Sequence, residues 1–319
     1  MSTYIFRRLL LALVVLLLVS LIVFFVMRLL PGDPLTIFLG QNAQVQAMPP
    51  AQLAALRHEY GLDKNLVFQY FSWIGGVVRG NFGQSIYYHE PVRRLLGERL
   101  PKTIYIGFLA LVFGAVSGII IGLWAGVKRG KWPDRIITPL TYIGITIPVF
   151  WLGILMIYLF ALKLHWLPTS GYTSPFVNFG LSCRMLIMPV FCESLFAIAA
   201  NARQMRSSML EVISQDYIRT AWSKGLSERI IILKHALKNS LIPVITLVGM
   251  GVGGILGGSV LVETVFAIPG IGRLMVSSIF GEDYVVVQAI VLVISVSILL
   301  MNLLVDLSYG WFDPRIRYG

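Results

Sequence analysis

The sequence predicts an all-α integral membrane protein with six transmembrane helices and both termini on the cytoplasmic side. Three observations carry that expectation. Apolar residues make up 57% of the 319 and charged residues only 13%, against about 25% charged in an average soluble domain. Six apolar segments, roughly 9–29, 103–127, 136–160, 185–203, 243–262 and 284–305, have the length that a hydrocarbon core about 30 Å thick demands of a helix. The cations are also placed asymmetrically. Lys128, Arg129, Lys131 and Arg135, the long polar stretch from Arg203 to Lys238, and Arg315 and Arg317 fall on the side of Arg7 and Arg8, while the short loops opposite hold Lys163, Arg184 and Arg273. By the positive-inside rule the first group is cytoplasmic. The membrane thus accounts for the net charge of +11, and no nucleic-acid partner is needed to explain it.

The first span opens on Arg7 and Arg8 and runs uncharged from Leu9 to Met27. It outlasts the apolar region of a signal peptide, and Arg28-Leu-Leu-Pro-Gly-Asp-Pro34 offers no small-x-small cleavage site. An uncleaved helix is expected. The segment 31–102 follows outside. Ala51–Tyr60 has a helical pattern with Gly61 placed to terminate it, and Leu66, Tyr70, Trp73 and Val77 recur at helical spacing. Gly80-Asn-Phe-Gly83 should break that helix, and Pro91–Leu100 reads as another short one. A folded cap on the outer surface and a docking surface for an extracytoplasmic protein are both compatible with this composition.

The second span, Thr103–Val127, and the third, Ile136–Phe160, carry no charge. Between them Lys128–Arg135 is an inner anchor, with Trp132 at the interface. The fourth is interrupted by Pro189 and Glu193. Glu193, with Asn201 two turns below, is a candidate for the translocation pathway, because intramembrane carboxylates are functional by default. Its alternative role is a polar group bonded between helices. In the fifth span Gly249, Gly251 and Gly254 match G-x-G-x-x-G, but no strand precedes them, so a dinucleotide site is rejected. Gly253 with Gly257 instead gives the small-xxx-small spacing of close helix packing or a narrow pore lining.

Much chemistry is missing. There is no phosphate-binding G-x-x-x-x-G-K-[ST] loop, no G-x-S-x-G and no H-E-x-x-H. His58, His89, His165 and His235 lie at no metal-ligand spacing, and Cys183 and Cys192 are too far apart on a helix to bridge. No catalytic residue and no metal ligand is expected.

The polar stretch at about 204–242 stands apart. Ser214 is placed to cap a helix beginning at Gln215, with Asp216 favourable to its dipole. Tyr217 and Ala221 share a face, as do Ile218 and Trp222, while Asp216, Arg219 and Ser223 turn away. Gly225 fits the position that ends the helix after Lys224, and Ser227 then starts a second helix with an apolar stripe of Ile230, Leu233 and Leu237, closed by Pro243. An amphipathic helix lying on the inner leaflet is one reading. A protruding docking hairpin is favoured, because the first helix is short and the glycine fixes a bend.

Gln215-Asp-Tyr-Ile-Arg-Thr-Ala-Trp-Ser-Lys-Gly-Leu226 followed by Lys234-His-Ala-Leu-Lys-Asn-Ser-Leu-Ile-Pro243 resembles the cytoplasmic coupling motif of ABC importer permeases. The peptide and nickel importer branch is the nearest match, in its B-type subunit. Leu30–Pro34, Gly61-Leu-Asp63, Trp166-Leu-Pro168, Arg206–Val212, Glu263-Thr-Val-Phe266 and Asp313–Arg317 extend the resemblance over the whole chain. Arg219-Thr-Ala221 stands where the broad motif has Glu-Ala-Ala, and Trp222-Ser223 replaces a more usual Arg-Ala.

The resemblance implies a type I importer permease fold in a bacterial or archaeal cytoplasmic (inner) membrane. A first helix and outer segment (1–102) would precede a five-span core (103–319). It implies a homologous second permease, two ABC ATPase subunits that bind ATP and Mg, and an extracytoplasmic substrate-binding protein. Asp216, Tyr217, Arg219, Thr220, Ala221, Trp222, Lys224 and Gly225 would couple the permease to the ATPases. Di- or oligopeptides are the expected cargo. Nickel, metal chelates or glutathione carried by the same branch, and an ATPase-independent channel or scaffold, are the alternatives.

Overall fold

A computed structural model describes residues 2–29, 49–59 and 63–312. The Leu30–Pro34 motif, Gly61 (expected to end a helix) and the Asp313–Arg317 tail lie outside the described residues. Every described element longer than an isolated bridge between Gln84 and Pro91 is helical. The elements are α1 (Ser2–Leu29), α2 (Pro50–Glu59), α3 (Leu66–Val78), α4 (Val92–Val127), α5 (Trp132–Thr146), α6 (Val149–Lys163), α7 (Phe179–Ile213), α8 (Asp216–Ser223), α9 (Glu228–Val252), α10 (Ile255–Val265), α11 (Ile271–Phe280) and α12 (Tyr284–Phe312). Five of them, α1, α4, α7, α9 and α12, are long and apolar enough to cross a membrane.

The expected third span departs from a straight helix. Helices α5 and α6 meet at a bend of 106°. Pro148 causes it: the residue before a proline is pushed out of helical geometry, and Ile147 has φ −68° and ψ 129°. Elsewhere proline does not break the chain. The short helix expected at Pro91–Leu100 is fused through Pro101 to the span behind it, and α7 runs 35 residues straight through Pro189 and Glu193. A spanning helix tolerates proline where neighbouring helices satisfy the freed backbone. One glycine pair does break it, although Gly75-Gly76 and Gly257-Gly258 stay inside α3 and α10. The expected fifth span divides at Gly253-Gly254, where two residues of low helix propensity adjoin.

The chain forms two compact units, residues 1–103 with 269–319, and residues 104–268. In the first, α1 packs on α3 and α12. Asn65 caps α3 by accepting the Val67 N–H at 3.1 Å, and Tyr70 turns inward to a 2.7 Å hydrogen bond with Ser20. Gly80 and Gly83 end that region at φ +79° and +90°, the left-handed region glycine enters freely. Asp283 is fully buried and accepts from Ser85 Oγ at 2.5 Å and the Tyr87 N–H at 3.1 Å, which ties the 83–91 turn to the start of α12. Val92, Leu95 and Leu96 pack with Ile271, Leu274 and Ile290 beneath it.

In the second unit α7 is the axis, with α5, α6, α9 and α10 against it. Two buried clusters divide along its length. One joins Leu186, Met188 and Cys192 to Val262 and Phe266; the other joins Met205 and Met209 to Ile218, Ala221, Ile231 and Val244. Helix α4 approaches α7 through Gly114, Gly118, Gly122 and Gly126, where an added Cβ would overlap Ala197, Asn201, Ala202 and Met209 respectively. Small residues at four-residue spacing let two helix backbones close in lipid.

Candidate functional site

The inner cluster carries the hairpin. Gln215 occupies the cap position of α8 without a side-chain bond, and Ser214 closes α7 by donating to the Glu211 carbonyl at 2.7 Å. The capping role expected of Ser214 therefore fails, because the α7 carbonyl captures its hydroxyl. Ser227 does occupy the cap position of the next helix, also without a side-chain bond.

Helix α8 buries one narrow face. Ile218 is 1% and Ala221 6% exposed, packed in the cluster of Met205, Met209 and Ile231. Tyr217 and Trp222 flank that face half-exposed, and Asp216, Arg219, Thr220 and Lys224 project to solvent. Asp216 and Arg219 approach to 3.4 Å, but both are so exposed that the pair contributes little. The Tyr217 hydroxyl accepts from Asn239 Nδ2 at 2.8 Å, a bond from α8 to α9.

The exit from α8 is fixed. Gly225 has φ +75°, its N–H donates to the Trp222 carbonyl at 2.9 Å, and the Leu226 N–H reaches back to the Ala221 carbonyl at 3.4 Å. This is the paired 5→2 and 6→1 bonding of a left-handed helix cap. A Cβ at Gly225 would meet nothing within 4 Å, so backbone conformation, not space, restricts the position.

The apolar stripe expected on the second helix is displaced. Ile230 and Leu233 are exposed, and the buried positions are Ile231, Ala236, Ser240 and Val244. Residues 231–236 are wound as a π-helix, so the buried face advances by five residues once and by four thereafter. Nor does Pro243 close the helix, which continues to Val252.

Among the expected pathway residues, Asn201 is buried and donates to the Gly114 carbonyl at 3.4 Å, so it braces α7 against α4. Glu193 lies on α7, and its Oε2 is buried with no hydrogen-bond partner among the described residues. Gly253 is buried at the α9–α10 break, whereas Gly257 is exposed, and a Cβ added there would meet nothing within 4 Å. Gly257 therefore makes no close helix contact among the described residues. The glycine row on α4 does make such a contact, and its signal in the sequence is the same four-residue spacing of small residues.

A second feature escapes sequence reading. Arg206 on α7 donates to Asp134 on α5 through Nε at 2.5 Å and through a terminal nitrogen at 3.0 Å. Asp134 also accepts from the Gly130 N–H at 2.9 Å and from Thr138 at 3.1 Å. The sequence signal is the single carboxylate within the cationic inner loop. Among the described residues no group of three or more His, Cys, Asp or Glu is arranged to hold a metal ion.

Residues 118–318 match the family described as binding-protein-dependent transport system inner membrane component, and residues 1–107 match the N-terminal region of such membrane components. The chain is 42% identical over the full length of both proteins to a probable peptide ABC transporter permease protein, y4tP, of Sinorhizobium fredii. It is 39% identical, again over both full lengths, to the glutathione transport system permease protein GsiC of Salmonella choleraesuis. Among solved structures, an inward-facing MetNI methionine ABC transporter aligns with a TM-score of 0.56 at 18% identity, over 69% of this chain and 96% of that one, a likeness of fold. With its spanning helices and its type I permease fold, the chain belongs to the inner-membrane components of binding-protein-dependent transport systems, the multi-pass permeases of ABC transporters.

Proposed function

We propose that this chain is the permease subunit of an ATP-driven importer that moves di- or oligopeptides across the inner membrane by alternating access. A homologous second permease completes the pathway, and an extracytoplasmic binding protein delivers cargo. Two ATPase subunits bind ATP and Mg and receive the hairpin. Residues 1–102 are appended to a five-span core, 103–319, a division that the two family matches support.

The observation that carries the reading is the build of α8. Its inner face is locked into α7 and α9, its end is fixed by the Gly225 cap, and its outer face is left free. A short helix held this way transmits displacement as a rigid body. ATPase closure against Tyr217, Trp222 and Lys224 would shift α7 and α9 together.

Peptide cargo is supported by the peptide permease relative. Glutathione, a small peptide itself, is the second reading, favoured by the GsiC relative. Uptake of labelled dipeptide, oligopeptide and glutathione, in cells lacking the chain and cells restored with it, separates them. Restoration for none of the three would refute the cargo assignment.

A further inference from the structure

The second unit holds an apolar groove of about 1000 Å³ between α4, α6 and α7. Each helix contributes a stripe at i, i+3/i+4 and i+7 spacing, represented by Leu109 and Val116, Leu155 and Leu159, and Ile187 and Phe191. Its lining on α4 extends from Tyr105 to Val116 and on α7 from Phe179 to Phe191. At 1.5 Å per residue these stripes are about 17–18 Å long. On α7 the lining begins at the extracytoplasmic end of the helix, and on α4 it begins at Tyr105, two residues into the apolar run that opens at Thr103.

We propose that this groove binds one phospholipid of the outer leaflet, with acyl chain inside and an anionic headgroup at Lys163 and Arg184. The length fits one leaflet of a hydrocarbon core about 30 Å thick, half of what a spanning partner helix would need. Side-chain type agrees. Helices dock on one another in lipid through small residues. Helix α4 spends its glycine face on α7 and turns bulky Leu, Val and Phe toward the groove.

The mouth is charged to match. Phe160 lines the groove and stacks at 6.1 Å on Trp166, whose carbonyl accepts from Arg184 at 2.8 Å. Arg184 adjoins the lining residue Cys183, and Lys163, three residues after Phe160, holds its ammonium 5.5 Å from the centre of the Tyr158 ring. Between Arg135 and Cys192 the chain has no carboxylate. Cations are disfavoured in short outer loops, yet two of the three found there, Lys163 and Arg184, lie within three residues of groove-lining positions. A phosphate between them, with Trp166 at the interface, gives those charges an anionic partner.

The full chain, purified from membranes containing phosphatidylglycerol, is weighed by native mass spectrometry. Alkylation of Cys183 by N-ethylmaleimide is timed in nanodiscs of phosphatidylglycerol or phosphatidylcholine. Cys183 is exposed at the mouth and Cys192 is buried, so an unreacted Cys192 reports an intact fold. One retained phosphatidylglycerol and several-fold slower alkylation in that lipid are expected. Both effects should vanish in Lys163→Glu/Arg184→Glu while Cys192 stays unreactive. Equal rates in the two lipids, or cross-linking of Cys183 to a second permease chain in the assembled transporter, overturns the proposal.

Discussion

Arg206 clamps Asp134 with two nitrogens, at 2.5 and 3.0 Å, and so fastens α5 to α7 a few residues before α7 gives way to the hairpin. The Asp134 side chain is 8% exposed and that of Arg206 29%. Removing one partner of a buried pair leaves an uncompensated charge, at a cost of about 3–5 kcal/mol when burial is complete. With Arg206 partly hydrated, Asp134→Asn should cost about 2 kcal/mol. Thermal unfolding in detergent of both single variants and the charge-swapped double variant checks this. Recovery of stability in the swap identifies the pair as the cause.

Gly225→Val forces a β-branched residue into φ +75°, where even an ordinary L-residue costs roughly 1–2 kcal/mol. Uptake should be abolished while the protein remains at its usual level in the membrane. Gly225→Asn should retain most uptake, because asparagine tolerates that region. Equal uptake by the Val variant and the parent would show that coupling does not depend on the cap.

Ala221→Glu should also abolish uptake, for a different reason. Ala221 packs inward against the α7–α9 cluster, so the new carboxylate detaches α8 rather than altering its outer face. Trypsin cleavage at Lys224 should accelerate in this variant and not in Trp222→Ala. Unchanged cleavage with lost uptake would instead assign Ala221 to the partner contact.

Gly118→Val and Gly122→Val should lower the amount of folded protein, since each Cβ overlaps the α7 backbone. Gly257→Val should be tolerated by the isolated chain, where nothing lies within 4 Å. Size-exclusion profiles in detergent distinguish the two behaviours.

Much of this is legible from residues. Charge-free runs mark the spans, and Gly225 announces its left-handed turn. Two kinds of feature are hidden. Winding is one: nothing in Ile231–Ala236 shows in advance that the helix widens there, so the buried face falls on Ile231 and Ala236 rather than on Ile230 and Leu233. Proline is the other. Pro148 breaks the chain while Pro101, Pro189 and Pro243 do not, because their effect depends on which neighbours stand ready to satisfy the backbone. The Asp134–Arg206 clamp, seventy-two positions apart, needs the fold itself.

On the proposed reading, the free face of α8 receives the ATPases. The decisive measurement is purification of the transporter with Trp222→Glu, which places charge on a half-exposed position without touching the buried Ile218 and Ala221. An ATPase pair should co-purify with the parent chain and be lost from the variant, along with ATP-dependent peptide uptake into proteoliposomes. Undiminished ATPase binding and uptake in the variant, or peptide flux through the permease alone, would refute that docking.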